Sequence, residues 1–257
     1  MTIPPPNLIT QKQFERGASK WMRVLSKPDY DTLERVFSTF EGLLMRVTFP
    51  IRSIKYLVST VGATHIEARF LLMQDELDQR RYYFTLALYA TDATRARISA
   101  YYLADTPVLH CPADSALATK RNEEQEAPTS DKPNDYPGAY RVARDVANEW
   151  RRYWRCSLEI TPGMFANAYG SLQGYTFSMG DFMQNLFNGQ GSPDSVLRVD
   201  FGLHRYYGID TTLQQTFGLI LQLDIIANLQ TDSSSTAAAE LDSEPYYDLS
   251  VPCPPGS

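Results

Sequence analysis

His110 and Cys111 stand side by side, the residue types of a thiol nucleophile and its base. Neighbouring side chains in an extended segment point to opposite faces, so this pair cannot share the hydrogen bond that activates a thiol. Cys111 therefore reads as a structural residue near a strand end. Three cysteines (Cys111, Cys156, Cys253) and three histidines (His65, His110, His204) show no C-x-x-C or H-x-x-x-H spacing, and no metal site or cofactor is expected. Glycine-rich phosphate loops, a nucleophile elbow and zinc-protease signatures are also absent from the sequence. No catalytic residue is assigned, and the motifs lean against an enzyme.

Charged and aromatic clusters offer binding chemistry instead. Arg81-Tyr82-Tyr83 and Arg205-Tyr206-Tyr207 fall near the same place in the two halves of the chain. A cation beside tyrosines can clamp an anionic or planar ligand, although half-buried strand tyrosines with a snorkelling arginine are the plainer reading. Glu67 and Arg69 match Arg198 and Asp200 with the signs exchanged. If the two strands met, Glu67 would pair with Arg198 and Arg69 with Asp200; solvated faces on separate sheets are the competing reading. Arg141, Arg144, Arg151 and Arg155 lie along one side of a helix, either as a solvated face or as a dock for an acidic partner or the chain's own acidic linker.

These side chains must be held by elements that the apolar pattern reveals. Phe14, Ala18, Trp21, Met22 and Leu25 have the spacing of one helical face. A second helix is expected over 30–41, a strand over 43–49, a short helix over 51–61, and strands over 66–73, 82–91 and 97–103. Residues 113–138 are acidic and proline-rich and read as a linker. The pattern then restarts, with a helix through Ala143, Ala147, Trp150 and Trp154, a strand over 172–177, a helix through Met179 to Phe187, and strands over 196–206 and 217–227.

The restart is the main organisational signal. Trp21 matches Trp150, Gly42 matches Gly170, Thr48-Phe49 matches Thr176-Phe177, and Phe70 matches Phe201. Phe84-x-Leu86-x-Leu88 then matches Phe217-x-Leu219-x-Leu221, Tyr101-Tyr102 matches Tyr246-Tyr247, and Cys111-Pro112 matches Cys253-Pro254. Offsets run from about 130 to 145 residues and drift where the second copy inserts loop residues. The expected fold class is α+β: two diverged copies of a helix-strand-helix-strand-strand unit forming mainly antiparallel sheet with pseudo-two-fold symmetry. The units span 10–112 and 139–254, and they either stay separate or pack as one domain.

Bulk composition narrows the function classes. The formal charge of −6 and pI near 5.1 disfavour a general nucleic-acid binder. No apolar run reaches the length of a membrane span, no secretory signal opens the chain, and an odd cysteine count fits reduced thiols, so a cytoplasmic protein is expected.

Phe49-Pro50-Ile51 to Leu57, Ile66 to Leu72, the FTLALYATD strand, and Tyr247-Asp248-Leu249 to Cys253-Pro254-Pro255 resemble a group of small uncharacterised bacterial proteins. Those proteins carry one such unit and a similar Cys-Pro-rich tail. The resemblance implies the repeat and supplies no activity. The expected function is non-enzymatic protein binding or assembly, with a protein partner or self-association. The alternative is a small-molecule ligand-sensing module with the Arg-Tyr positions as contacts, followed by an unrecognised enzyme, with nucleic-acid binding last.

Overall fold

Thr10 begins the first long helix as its N-cap. The Gln13 amide donates to Thr10 Oγ1 at 3.3 Å and the Thr10 amide donates to Gln13 Oε1 at 2.9 Å, a reciprocal capping box. The structure, a computed structural model, describes residues 7–27, 30–107, 109, 141–167, 170–180, 183, 195–224, 246–247 and 251–252. Its first half runs β1 (Leu8–Ile9), α1 (Gln11–Ser26), α2 (Tyr30–Val36), β2 (Ser38–Thr39), β3 (Gly42–Leu43), β4 (Arg46–Pro50), α3 (Ile51–Val58), β5 (His65–Gln74), β6 (Tyr82–Thr91) and β7 (Tyr101–Leu103). Its second half runs β8 (Arg141–Val142), α4 (Arg144–Arg155), a 3-10 turn (Pro162–Phe165), β9 (Ala166–Asn167), β10 (Gly170–Ser171), β11 (Gly174–Ser178), β12 (Val196–Tyr207), β13 (Leu213–Asp224), β14 (Tyr246–Tyr247) and β15 (Val251–Pro252). The chain is thus α+β, and its two main sheets are antiparallel.

Each main sheet takes strands from the other half, β11 and β15 in one and β4 in the other. The order is β1-β7-β6-β5-β11-β15 in one sheet and β4-β12-β13-β14-β8 in the other. Thr176 and Phe177 of β11 face Glu67 and Ile66 of β5, while Thr48 and Phe49 of β4 face Arg198 and Leu197 of β12. The Thr-Phe pairs that match in sequence therefore take matching registers in opposite sheets. Beyond them, Val251 pairs with Thr176, and the Asp105 amide donates to the Thr48 carbonyl at 2.8 Å.

The borrowed strand β11 enters very close to β5. Gly174 has φ +153, and a Cβ there would lie 2.1 Å from the Ala68 carbonyl oxygen and 2.9 Å from the Arg69 Cα. Gly174→Ala must push these backbones apart and is expected to cost about 2 kcal/mol. A urea titration should show a lower midpoint at unchanged slope. An unchanged midpoint would contradict this register.

Between the sheets lies one aromatic core drawn from both halves. Phe70 meets Phe217 at 5.6 Å and Phe84 meets Phe201 at 5.5 Å between ring centroids, so the sheets face one another. Phe37 and Phe165 stack at 5.5 Å, and both touch the fully buried Trp21 and Trp154. The indoles are tied reciprocally: Trp21 Nε1 donates to the Leu172 carbonyl at 2.8 Å and Trp154 Nε1 to the Leu44 carbonyl at 3.0 Å. Trp154, and not Trp150, makes the bond that mirrors that of Trp21. Trp150 instead lies on the strand surface at Gly202, where a Cβ would sit 3.0 Å from the Trp150 Cβ. Around Gly17 the bulk is reversed, since the bare helix position lies over Leu71 of β5.

Several boundaries differ from the periodicity. The expected helix over 30–41 stops at Val36 because Phe37 turns into the core and Gly42, at φ +114, closes the β2–β3 hairpin. Strand 43–49 is consequently split between β3 and β4, and the 51–61 helix ends at Val58. In place of a strand over 97–103, only Tyr101–Leu103 is a strand, while Arg97 makes a single bridge to Thr91. Asp92 Oδ1 accepts from the amides of Thr94 and Ala96 at 2.8 and 3.0 Å, and Ser99 Oγ accepts from the Ala90 amide at 2.7 Å. Side chains thus take hydrogen bonds that a longer β7 would otherwise make. The strand expected over 172–177 begins at Gly174, because Leu172 is still occupied with the Phe165 carbonyl. The linker 113–138, both Cys-Pro pairs and most of the helix expected from Met179 to Phe187 lie outside the described residues. Among the described residues no helix is long and apolar enough to cross a membrane.

Candidate functional site

Helix α4 packs along β12 and carries polar residues toward the β4 side of that strand. Ala147 and Trp154 form its buried face, which fixes Asp145, Asn148, Glu149, Arg151, Arg152 and Arg155 around a half-open cleft. Arg198 and Asp200 of β12 and Met45 and Arg46 at the start of β4 complete the lining. The cleft measures ≈ 500 Å³. Its wall is a product of the strand exchange, because β4 sets Arg46 opposite Asp200 in register.

The floor is a fixed charge network. Asp200, with a side chain 7% exposed, holds Arg151 Nη2 at 2.6 Å and Arg198 Nε at 3.2 Å. Gln222 Oε1 accepts from Arg151 Nη2 at 3.2 Å and also from Arg198 Nη2. Arg151 Nη1 donates to Asn148 Oδ1 at 2.9 Å. Two guanidiniums are therefore pinned beside each other by shared acceptors, and each is only 17% exposed. Arg46, Arg152 and Arg155 are exposed around them. Five arginines face three carboxylates, leaving an excess of two positive charges in a chain of net charge −6.

Glu149 lines the cleft beside Arg152. It accepts from the Tyr153 hydroxyl, and this bond to a carboxylate raises the Tyr153 phenol above its ordinary pKa. Arg152 Nη2 lies 3.9 Å from Glu149 Oε1, and the Arg205 guanidinium stands 3.9 Å over the Tyr153 ring. The arginine lining has the fork geometry that binds carboxylate or phosphate oxygens in pairs.

Arg81 is a structural tie, donating to the carbonyls of Leu109 and Ser38 at 2.8 Å each. Tyr82 carries Lys20 Nζ 3.4 Å from its ring centroid, and hydrogen bonding from Lys20 lowers its phenol pKa. Tyr83 is buried, which raises its own. Tyr206 and Tyr207 are exposed at the end of β12. The two Arg-Tyr clusters thus flank different hairpins, Tyr82 at the start of β6 and Tyr206 at the end of β12.

Glu67 and Arg198 lie in different sheets because each strand pairs with a strand borrowed from the other half. The strands that carry Glu67 and Arg198 are therefore not paired with one another. Glu67 bonds Thr176 Oγ1 at 2.9 Å and Arg95 Nη1 at 3.2 Å, and Arg69 Nη2 donates to Gln173 Oε1 at 3.1 Å. Asp200 pairs with both Arg198 and Arg151.

Of the helix stripe, Arg151 and Arg155 line the cleft. Arg46 and Arg152 had no signal of their own, since Arg46 is brought in by a strand from the opposite half. Among the described residues no cluster of three or more His, Cys, Asp or Glu could hold a metal ion. No family model, curated protein or solved structure matches the chain.

Proposed function

We propose that this is a non-enzymatic protein-binding module that takes an acidic segment of a partner protein into the arginine-lined cleft beside α4. The observation that carries this reading is the excess of two positive charges in the lining, with two of the five guanidiniums already fixed by Asp200 and Gln222. Fixed forks lose little side-chain entropy on binding, and exposed ones steer an acidic chain toward them. A half-open shape suits a segment that enters and leaves the cleft.

Fluorescence anisotropy of a labelled hexaglutamate peptide tests the reading. Wild-type protein should bind, and the double substitution Arg152→Ala with Arg155→Ala should weaken binding at least tenfold, or about 1.4 kcal/mol. Raising salt from 50 to 300 mM should weaken it further. Equal binding by wild type and the double variant would overturn the proposal. A second reading, a small-molecule anion sensor, is favoured by the cleft volume of ≈ 500 Å³, within the ordinary range of ligand sites. Free succinate competing as well as the peptide would support that reading.

The same proposal includes an origin by internal duplication with exchange of the Thr-Phe strand. Support comes from the parallel strand orders, the matching registers of β4 and β11, and the reciprocal Trp21 and Trp154 bonds. Such an exchange welds the two units into one core, as an isologous strand-swapped dimer would.

A further inference from the structure

The chemistry of the cleft narrows the group it takes. Its cations are all arginine, and they approach from three elements: Arg46 on β4, Arg198 on β12, and Arg151, Arg152 and Arg155 on α4. A carboxylate offers two oxygens in one plane and a single negative charge, which one fork satisfies. A phosphate monoester offers three terminal oxygens pointing in different directions and nearly two charges at neutral pH. It matches both the excess of two positive charges and the placement of the arginines on three elements.

The floor is built for such a group. Asp200 is buried, and with Gln222 and Asn148 it sets Arg151 and Arg198 before any ligand arrives. Of the acids that would oppose a dianion, Asp145 and Glu149 are exposed, and Glu149 is engaged with the Tyr153 hydroxyl. Resting on the reading of the cleft as a site for an acidic protein segment, we propose that the group it is built to hold is a phosphorylated side chain of that segment.

The test uses the full chain and three versions of one labelled peptide of otherwise neutral sequence: with a central phosphoserine, with glutamate in its place, and with unmodified serine. Inorganic phosphate serves as competitor. The phosphoserine peptide should bind at least tenfold more tightly than the glutamate version, and unmodified serine should not bind. Arg152→Ala with Arg155→Ala should remove most of that advantage. Arg152→Lys with Arg155→Lys keeps the charge and the helix, and should still lose several-fold because ammonium groups lack the fork. If hexaglutamate binds but phosphoserine gives no advantage over glutamate, the phosphate assignment fails and the acidic-segment reading stands. No binding by any peptide overturns both. Inorganic phosphate binding as tightly as the phosphopeptide would make the free ion the ligand and overturn the assignment to a protein segment.

Discussion

Replacing Trp154 with alanine is expected to destabilise the protein by about 3 to 5 kcal/mol, the range for emptying a large aromatic site in a core. Trp154 is fully buried and contacts Phe37, Phe165, Phe201 and Phe217. Its indole N–H also satisfies the Leu44 carbonyl of the opposite half at 3.0 Å, an acceptor that alanine would leave orphaned. Thermal melting should fall by roughly 10 °C for a chain of this size. Trp154→Phe keeps most of the ring volume and should cost about 1 to 2 kcal/mol. Trp21→Ala should cost as much as Trp154→Ala, and the double variant should lose less than the sum, because both indoles touch Phe37 and Phe165. Strict additivity would mean that the two halves have independent cores.

Removing the floor carboxylate is the second large effect. Asp200→Ala leaves Arg151 and Arg198 side by side without the anion that holds them, and should cost about 3 kcal/mol. The figure applies because the acid is buried and both arginines are mostly so; an exposed pair would be worth far less. Arg198→Met should cost less than Asp200→Ala. Combining the two should recover part of the Asp200→Ala loss, since one of the two repelling cations is gone. Denaturant titration of the single and double variants reads this coupling, and a coupling near zero would show that Asp200 does not organise the pair.

The legible part of this fold is local. Thr10 with Gln13, the Trp21 face of α1 and the Phe84, Leu86 and Leu88 run of β6 each declare an element through spacing that depends only on near neighbours. Boundaries failed where a core position overrode the local period, as at Phe37, or where side chains replaced ladder bonds, as at Asp92 and Ser99. Thr48-Phe49 and Thr176-Phe177 were visible as matching pairs, but nothing in a linear pattern says that each joins the other half's sheet.

That one long-range fact decides the site. It separates Glu67 from Arg198, and it brings Arg46 beside Asp200 across more than a hundred residues of chain. Sequence alone gave Arg198, Asp200, Arg151 and Arg155 as charged positions on two elements. It offered no reason to join the strand pair to the helix stripe, because the helix–strand packing depends on the bare surface at Gly202 beneath Trp150. Arg81-Tyr82-Tyr83 and Arg205-Tyr206-Tyr207 likewise lie beside different hairpins, a placement that a linear pattern leaves open.

Arginine Nε–Hε resonances followed by NMR during titration with the hexaglutamate peptide test the binding account most directly. Shifts are expected at Arg46, Arg151, Arg152, Arg155 and Arg198, saturating together, with Arg81 and Arg95 unmoved. Shifts at Arg205 and the Tyr206-Tyr207 end of β12 with the cleft arginines silent, or no saturable shift anywhere, would contradict it.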